Sequence, residues 1–360
     1  MKKRWLVTAA VALSLTFVFT GCKKDETPVE EPKKVEKPAK KADTHEGEAK
    51  SLLTGEWIEE ELVTKRPVAI MISNIKEALP QYGTSKADIF YECPVEGGLT
   101  RMMAIYQDYS GLDKIGSVRS CRLYFPQFAN EFNAIYVHFG QASYAESYLN
   151  SSVDNINGLV LESQCFTRDN TRKKPHNAFI DTEGINKGIE KMKYDTTLSS
   201  SYANGHYQFA EDKAPVNLEG EDAVVVKPGY AVNKPWFVYD SESGLYKRYE
   251  YGESQIDKAT DTQLEVKNIL IQCCKWNYEP DNKYLRIDTV SGGEGYYITN
   301  GKVIPVTWKK DRDGSPAHYY DASGNEITLN QGKTWVCVVQ NTYADKITFY
   351  SSEEEYKAAQ

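Results

Sequence analysis

Nowhere does this 360-residue chain carry a long basic stretch interleaved with aromatic residues, and its formal net charge is −8. It therefore lacks the electrostatic footprint of a nucleic-acid binder. Neither a Walker loop nor a GxGxxG turn is present, which argues against nucleotide binding. GxSxG and HExxH are also missing, so there is no local signature for a hydrolase serine or a helix-borne metal. No CxxC pair occurs. The six cysteines after residue 22 (Cys93, Cys121, Cys165, Cys273, Cys274 and Cys337) are irregularly spaced. They read as mostly small buried apolar residues. Cys273 and Cys274 are neighbours on an expected strand, so their side chains should point to opposite faces. No cofactor and no metal is implied.

What is present begins at the N-terminus. The first four residues, MKKR, are a positive start, and residues 6–20 form an apolar run too short to span a membrane comfortably. The run ends in FTGC at residues 19–22, a small residue before cysteine, as in a bacterial lipobox. The expectation is a lipoprotein signal peptide at 1–21, cut before Cys22, with the Cys22 thiol acylated by lipid such as palmitate. Loss of the three cations at 2–4 takes the formal charge from −8 to −11. Residues 22–50 carry eight basic and eight acidic side chains with almost no large apolar residue. Such a segment cannot build a core and reads as a disordered Lys/Glu/Pro tether. The mature protein would then sit on the outer face of the cell membrane, lipid-anchored.

The folded part divides by pattern. Over residues 64–200, strands and helices alternate, which predicts a mixed α/β domain. "RPVAIMISN" at 66–74, "ADIFYECPVEG" at 87–97 and "TRMMAIYQDY" at 100–109 read as strands. "LYFPQFANEFN" at 123–133 reads as a helix, with Phe125, Phe128 and Phe132 on one stripe. "AIYVHFG" at 134–140 is a strand running into a helix at 141–150. "SQCFTRD" at 163–169 and "PHNAFID" at 175–181 read as strands, and Thr182 as the cap of a helix over 183–194. Residues 196–222 are a polar connection. A β-rich domain follows over 223–350, where Asn300-Gly301 marks a hairpin. The 25 tyrosines, against 12 phenylalanines, suit half-buried strands. The fold class is α+β.

Polar groups concentrate in four stretches: "PVEGGLTR" at 94–101, "RSCR" at 119–122, "YVHFGQAS" at 136–143, and "FTRDNTRKKPHN" at 166–177. Strand ends of an α/β sheet gather along one edge, where ligands bind. A shared edge would put Glu96, Arg101, Arg119, Arg122, His138, Arg168, His176 and Asn177 around one cleft. Arginine suits carboxylate or phosphate because its planar fork donates two parallel hydrogen bonds. The alternative is that these arginines pair with Glu92, Glu96, Asp169 or Asp181 to fix loops. Catalytic readings are weaker. Cys121 between two arginines could be a nucleophile with His138 as base. Ser120 or Ser143 with His138, and acid–base work by Glu92 or Glu96, are further options. No recognised catalytic motif supports any of them.

Several of these motifs in order resemble the YerB-like bacterial envelope lipoproteins: "RPVAIMISN", "ADIFYECPVEGGLTR", "GSVRSCRLYF", "VHFG", "FTRD" with "RKKPHN", then "NILIQ", "GKVIPVTWKK" and "DASGNEITLNQGKTWVCVV". The resemblance covers roughly residues 64–345. It implies a two-domain protein of unassigned function with a layered sandwich of two sheets and a helical layer in its N-terminal domain. It carries over no catalytic residue. The family more often has alanine in place of Cys121, which counts against a nucleophile there, and histidine in place of Gln255.

The expected function is a membrane-anchored binding or regulatory module of the cell envelope. It would recognise an anionic wall component or a wall-synthesis protein. A hydrolase or transferase acting on wall polymers is the second reading, and a solute-binding receptor the third.

Overall fold

The computed structural model describes residues 45–360. The expected signal peptide, Cys22 and most of the expected tether lie outside them. The last tether residues are ordered: Glu48–Lys50 is a strand paired antiparallel with Trp57–Glu59. His45 stacks on Trp57, and the Trp57 indole donates to Asp212 at 2.9 Å. One aromatic residue beyond the tether thus gives its end something to pack on.

An eleven-stranded mixed sheet organises the chain. Its order from one edge is Glu221–Asp222, Lys302–Lys310, Gly293–Thr299, Asn268–Cys274, Thr334–Gln340, Ile89–Pro94, Thr100–Tyr106, Val68–Ser73, Ile135–His138 and Asn155–Asn157. Ala317–Tyr320 pairs beside Lys302–Lys310. The two segments of the sequence meet inside this sheet. Ile89–Pro94 runs parallel to Thr334–Gln340, with Phe90 opposite Trp335 and Glu92 opposite Cys337.

The central strands are buried on both faces, so they read as continuous apolar runs. Ile70 and Ile72 face one cluster, with Val226, Phe237 and Tyr246 of a second, six-stranded sheet and Ile185 of the helix Thr182–Met192. Ala69 and Met71 face the other, against Phe125, Phe128 and Phe132. The three phenylalanines form the expected stripe on and just after the helix Tyr124–Asn130. The layers are sheet, sheet and helix. Cys273 and Cys274 fall into opposite clusters, and all six cysteines after residue 22 are buried free thiols.

Asn300 and Gly301 both have positive φ (51° and 75°) between Gly293–Thr299 and Lys302–Lys310, as a tight hairpin turn requires. Two local expectations shift. Residues 158–165 form a helix, and only Phe166–Arg168 of the expected 163–169 strand is extended. Leu159 and Val160 on this helix are exposed, so apolar periodicity did not signal it; the Asn157 side chain caps it by accepting from the Leu159 N–H. The cap of the next helix is Asp181, which accepts from the Gly184 N–H. Thr182 accepts from the Leu112 N–H instead.

Strand directions decide where function can sit. Val68–Ser73, Ile89–Pro94, Ile135–His138, Asn155–Asn157, Asn268–Cys274 and Thr334–Gln340 run the same way. Their carboxyl ends line one edge, and the antiparallel strand Thr100–Tyr106 starts there.

Candidate functional site

The strand Ile89–Pro94 leads at this edge into Glu96-Gly97-Gly98, where both glycines have positive φ (73° and 72°). That conformation is open to glycine and strained for other residues. It returns the chain so that Arg101 lies across from both Ser73 and Cys93. The 117–122 segment crosses the same edge. The Ser73 N–H donates to the Ser117 carbonyl, the Arg119 N–H to the Met71 carbonyl, and the Phe139 N–H to the Arg119 carbonyl. Backbone bonding therefore fixes where Arg119 starts, while its side chain reaches out half-buried.

Three arginines of the expected set, Arg101, Arg119 and Arg122, come together with Glu96 and His176. Arg122 donates Nε to both Glu96 oxygens at 2.9 and 3.0 Å, and its Nη2 adds a third bond, to Oε2. Its guanidinium also lies 4.8 Å from the Tyr284 ring. Burial works against the Glu96 charge, but the hydrogen bonds from Arg122 and the Leu285 N–H outweigh it and lower the Glu96 pKa. This is the loop-fixing pair that sequence left open.

Arg101 and Arg119 differ. Arg101 donates to the Ser120 carbonyl at 2.5 Å and to its hydroxyl at 3.2 Å. Among the described residues, neither Arg101 nor Arg119 has a carboxylate within 4.0 Å. Burial, then the charges of Arg122 and Arg119, lower the Arg101 pKa to about 10. Burial and Arg122 lower that of Arg119. His176, whose Nδ1 is 3.4 Å from the Ser73 hydroxyl, is lowered by burial and by Arg119. Three guanidinium groups thus share one paired carboxylate, Glu96, while Glu77 acts on His176 without pairing to an arginine.

The other expected residues serve the fold. His138 is fully buried, with Nδ1 2.9 Å from the Gly140 carbonyl oxygen and Nε2 3.1 Å from Asn155 Oδ1. Arg168 donates to Glu162 at 2.5 Å and to the buried Asn177 at 2.9 Å, and stacks on Phe139. Its partner is none of the four acids expected. Cys121 is fully buried, and burial pushes its thiol up to about 12 despite Arg101 and Arg122 nearby. A thiol so placed is a poor nucleophile.

Two buried charged clusters escaped sequence reasoning. The Glu92 carboxylate accepts from Arg248 (2.6 Å), Thr100 (2.8 Å), Asn233 (2.8 Å), Asn74 (3.1 Å) and Trp335 (3.3 Å). Arg248 belongs to the second sheet and lies against both the Phe237 and the Trp335 rings. A glutamate inside the apolar run IFYECP was the available signal, since a buried charge demands a partner. In the other cluster Glu131 takes Lys310 at 2.6 Å and His206 at 2.7 Å.

The fold and the edge define a two-segment α+β protein built on one shared sheet, with a cationic cluster at its strand ends. The family models for the N-terminal and C-terminal domains of the protein of unknown function DUF3048 match residues 53–195 and 224–336. The chain belongs to that family. It is 29% identical over 347 residues to "Putative lipoprotein YerB" of Bacillus subtilis (strain 168), covering 96% of this chain and 98% of that one. The crystal structure of YerB protein from Bacillus subtilis superposes with a TM-score of 0.73 at 30% identity, over 84% of this chain and 99% of that chain.

Proposed function

We propose that this chain is a lipoprotein held through Cys22 on the outer face of the cell membrane, and that it binds an anionic group of the cell envelope at its strand-end arginines. The lipobox-like start and the name of its relative support the anchor. Among the described residues no helix is long and apolar enough to cross a membrane. The observation that carries the binding reading is the pair Arg101 and Arg119: half-buried, beside Arg122, and without a carboxylate partner. Like charges held together cost stability unless something offsets them. A carboxylate of a wall stem peptide or a phosphate of a wall polymer, accepting from both guanidinium forks, would do so. Glu96 holds Arg122 in place and His176 closes the cluster. At a formal net charge of −11 once the cations at 2–4 are lost the protein repels diffuse polyanions, so recognition is local.

Thermal unfolding of residues 45–360, a single compact unit, tests this at constant ionic strength. Phosphate and sulfate are expected to raise the midpoint of the wild type by mass action. The Arg101→Met/Arg119→Met variant is expected to fold, to melt no lower without ligand, and to lose the response. A variant that melts much earlier, with no anion response in either protein, would mean the arginines are structural.

A further inference from the structure

The same edge continues beyond the arginines, past the seam between the two segments. The strand Asn268–Cys274 ends there, and the chain passes at once into the hairpin of Trp276–Tyr278 with Leu285–Ile287. Thr334–Gln340 ends beside it and leads to Thr342 and Tyr343. The Trp276 indole donates to the Thr342 hydroxyl at 2.8 Å, which fixes the ring plane. Tyr343 lies nearly parallel to it, at 29° with centroids 6.2 Å apart, and Tyr278 stands edge-on at 5.7 Å. Tyr278 and Tyr343 are 45% and 47% exposed. Trp276 packs partly against the core, while Tyr278 and Tyr343 are large rings left exposed.

Trp276 is the wall between two cavities. One, of about 190 Å³, is lined by Trp276, Tyr278, Tyr343, Tyr230 and the Gly97-Gly98 backbone, with Glu96 at its rim. The other, of about 450 Å³, is lined by Trp276 and by Gln127, Asn277, Asp288 and Thr289, with Lys275 and Arg286 also on its surface. One side of the indole therefore offers flat aromatic faces. The other offers the Asn277 amide N–H groups and the second Asp288 oxygen to a ligand, while Gln127 bonds Asp313 and Thr289.

We propose that this cleft binds consecutive units of a neutral saccharide chain. A pyranose ring has an apolar C–H face and a rim of hydroxyl groups. The first suits the Trp276–Tyr343 wall, and the second suits donors and acceptors side by side. An apolar peptide anchor would use neither the Asn277 amide N–H groups nor the second oxygen of Asp288, the groups on this side that the protein's own hydrogen bonds leave open. The Arg122–Glu96 pair joins this cleft to the arginine cluster: Glu96 lines the smaller cavity, and Leu123 and Tyr124, next to Arg122, line the larger one. The inference extends the anion-site reading to a neighbouring subsite, and the two fail separately because they rest on different residues.

The probes are two neutral oligosaccharides, the β-1,4-linked tetramers of N-acetylglucosamine and of glucose, titrated calorimetrically into residues 45–360. At least one is expected to bind in the millimolar range or tighter. Trp276→Ala is expected to weaken it by about tenfold or more, as loss of a stacking ring does. Tyr343→Ala, at an exposed position, should weaken it severalfold without touching the core. Arg101→Met/Arg119→Met should leave it unchanged. Absence of heat with both sugars at millimolar concentration overturns the proposal. So does binding that is equal in wild type, Trp276→Ala and Tyr343→Ala.

Discussion

At the scale of single residues, the most informative side chains are those whose charge the fold has to accommodate. Glu250 is 2% exposed and accepts from Asn233 at 3.2 Å through one oxygen, while the other has no partner among the described residues. Burial, opposed by Arg248 and assisted by Glu92, pushes its carboxyl up to about 7. A carboxyl raised on folding binds its proton more tightly in the native state. Its contribution is fullest below the ordinary glutamate range and is lost as pH climbs to about 7. The loss by pH 8 is on the order of 3 kcal/mol. Urea unfolding at pH 5.5 and pH 8 should therefore show Glu250→Gln losing less stability than the wild type across that interval. An equal loss in both proteins would remove Glu250 as the source. Residue-level legibility was uneven. Arg122 and Glu96 stood in short, odd motifs and could be named together. Arg248 and Glu250 lie in "YKRYE", where charged residues fall on both faces, so alternation alone does not tell which set points inward.

The elements show how that polar interior holds two layers together. Glu92 lies on a central strand and Arg248 on the second sheet, both side chains fully buried, at 2.6 Å. A buried pair adds little over an apolar pair of the same shape, but removing one partner strands the other. Arg248→Ala should cost about 3–5 kcal/mol in urea unfolding, and Glu92→Gln/Arg248→Met should recover much of it. If the single and double variants are equally destabilised, packing and not stranded charge sets the cost. Strands and the Asn300-Gly301 hairpin were readable because continuous apolar runs and turn residues carry their own physics. The helix at residues 158–165 was not, because it exposes Leu159 and Val160 and gives no amphipathic stripe. The Trp276 hairpin was equally silent. Its importance comes from the strand ends beside it, which are remote in sequence.

For the whole molecule, the decisive fact is that strands from both segments share one sheet, joined where Ile89–Pro94 meets Thr334–Gln340. Sequence pattern separates an alternating α/β stretch from a β-rich one, and the two family models fall on those two stretches. Pattern does not reveal that the two pair edge to edge, since strand pairing is non-local. The shared sheet gives one continuous carboxyl-end edge. It carries an arginine cluster short of negative charge on one side of the seam and an aromatic cleft on the other. A ligand with a neutral ring and an anionic group would fit such an edge, and a sugar–peptide fragment of the cell wall has that composition.

The most direct measurement is a calorimetric titration of a soluble disaccharide–peptide wall fragment into residues 45–360, with inorganic phosphate as competitor. The account predicts saturable binding that phosphate weakens and that Arg101→Met/Arg119→Met reduces to the phosphate-insensitive strength of the saccharide cleft alone while the variant stays folded. Binding of equal strength in wild type and variant, untouched by phosphate, would contradict it.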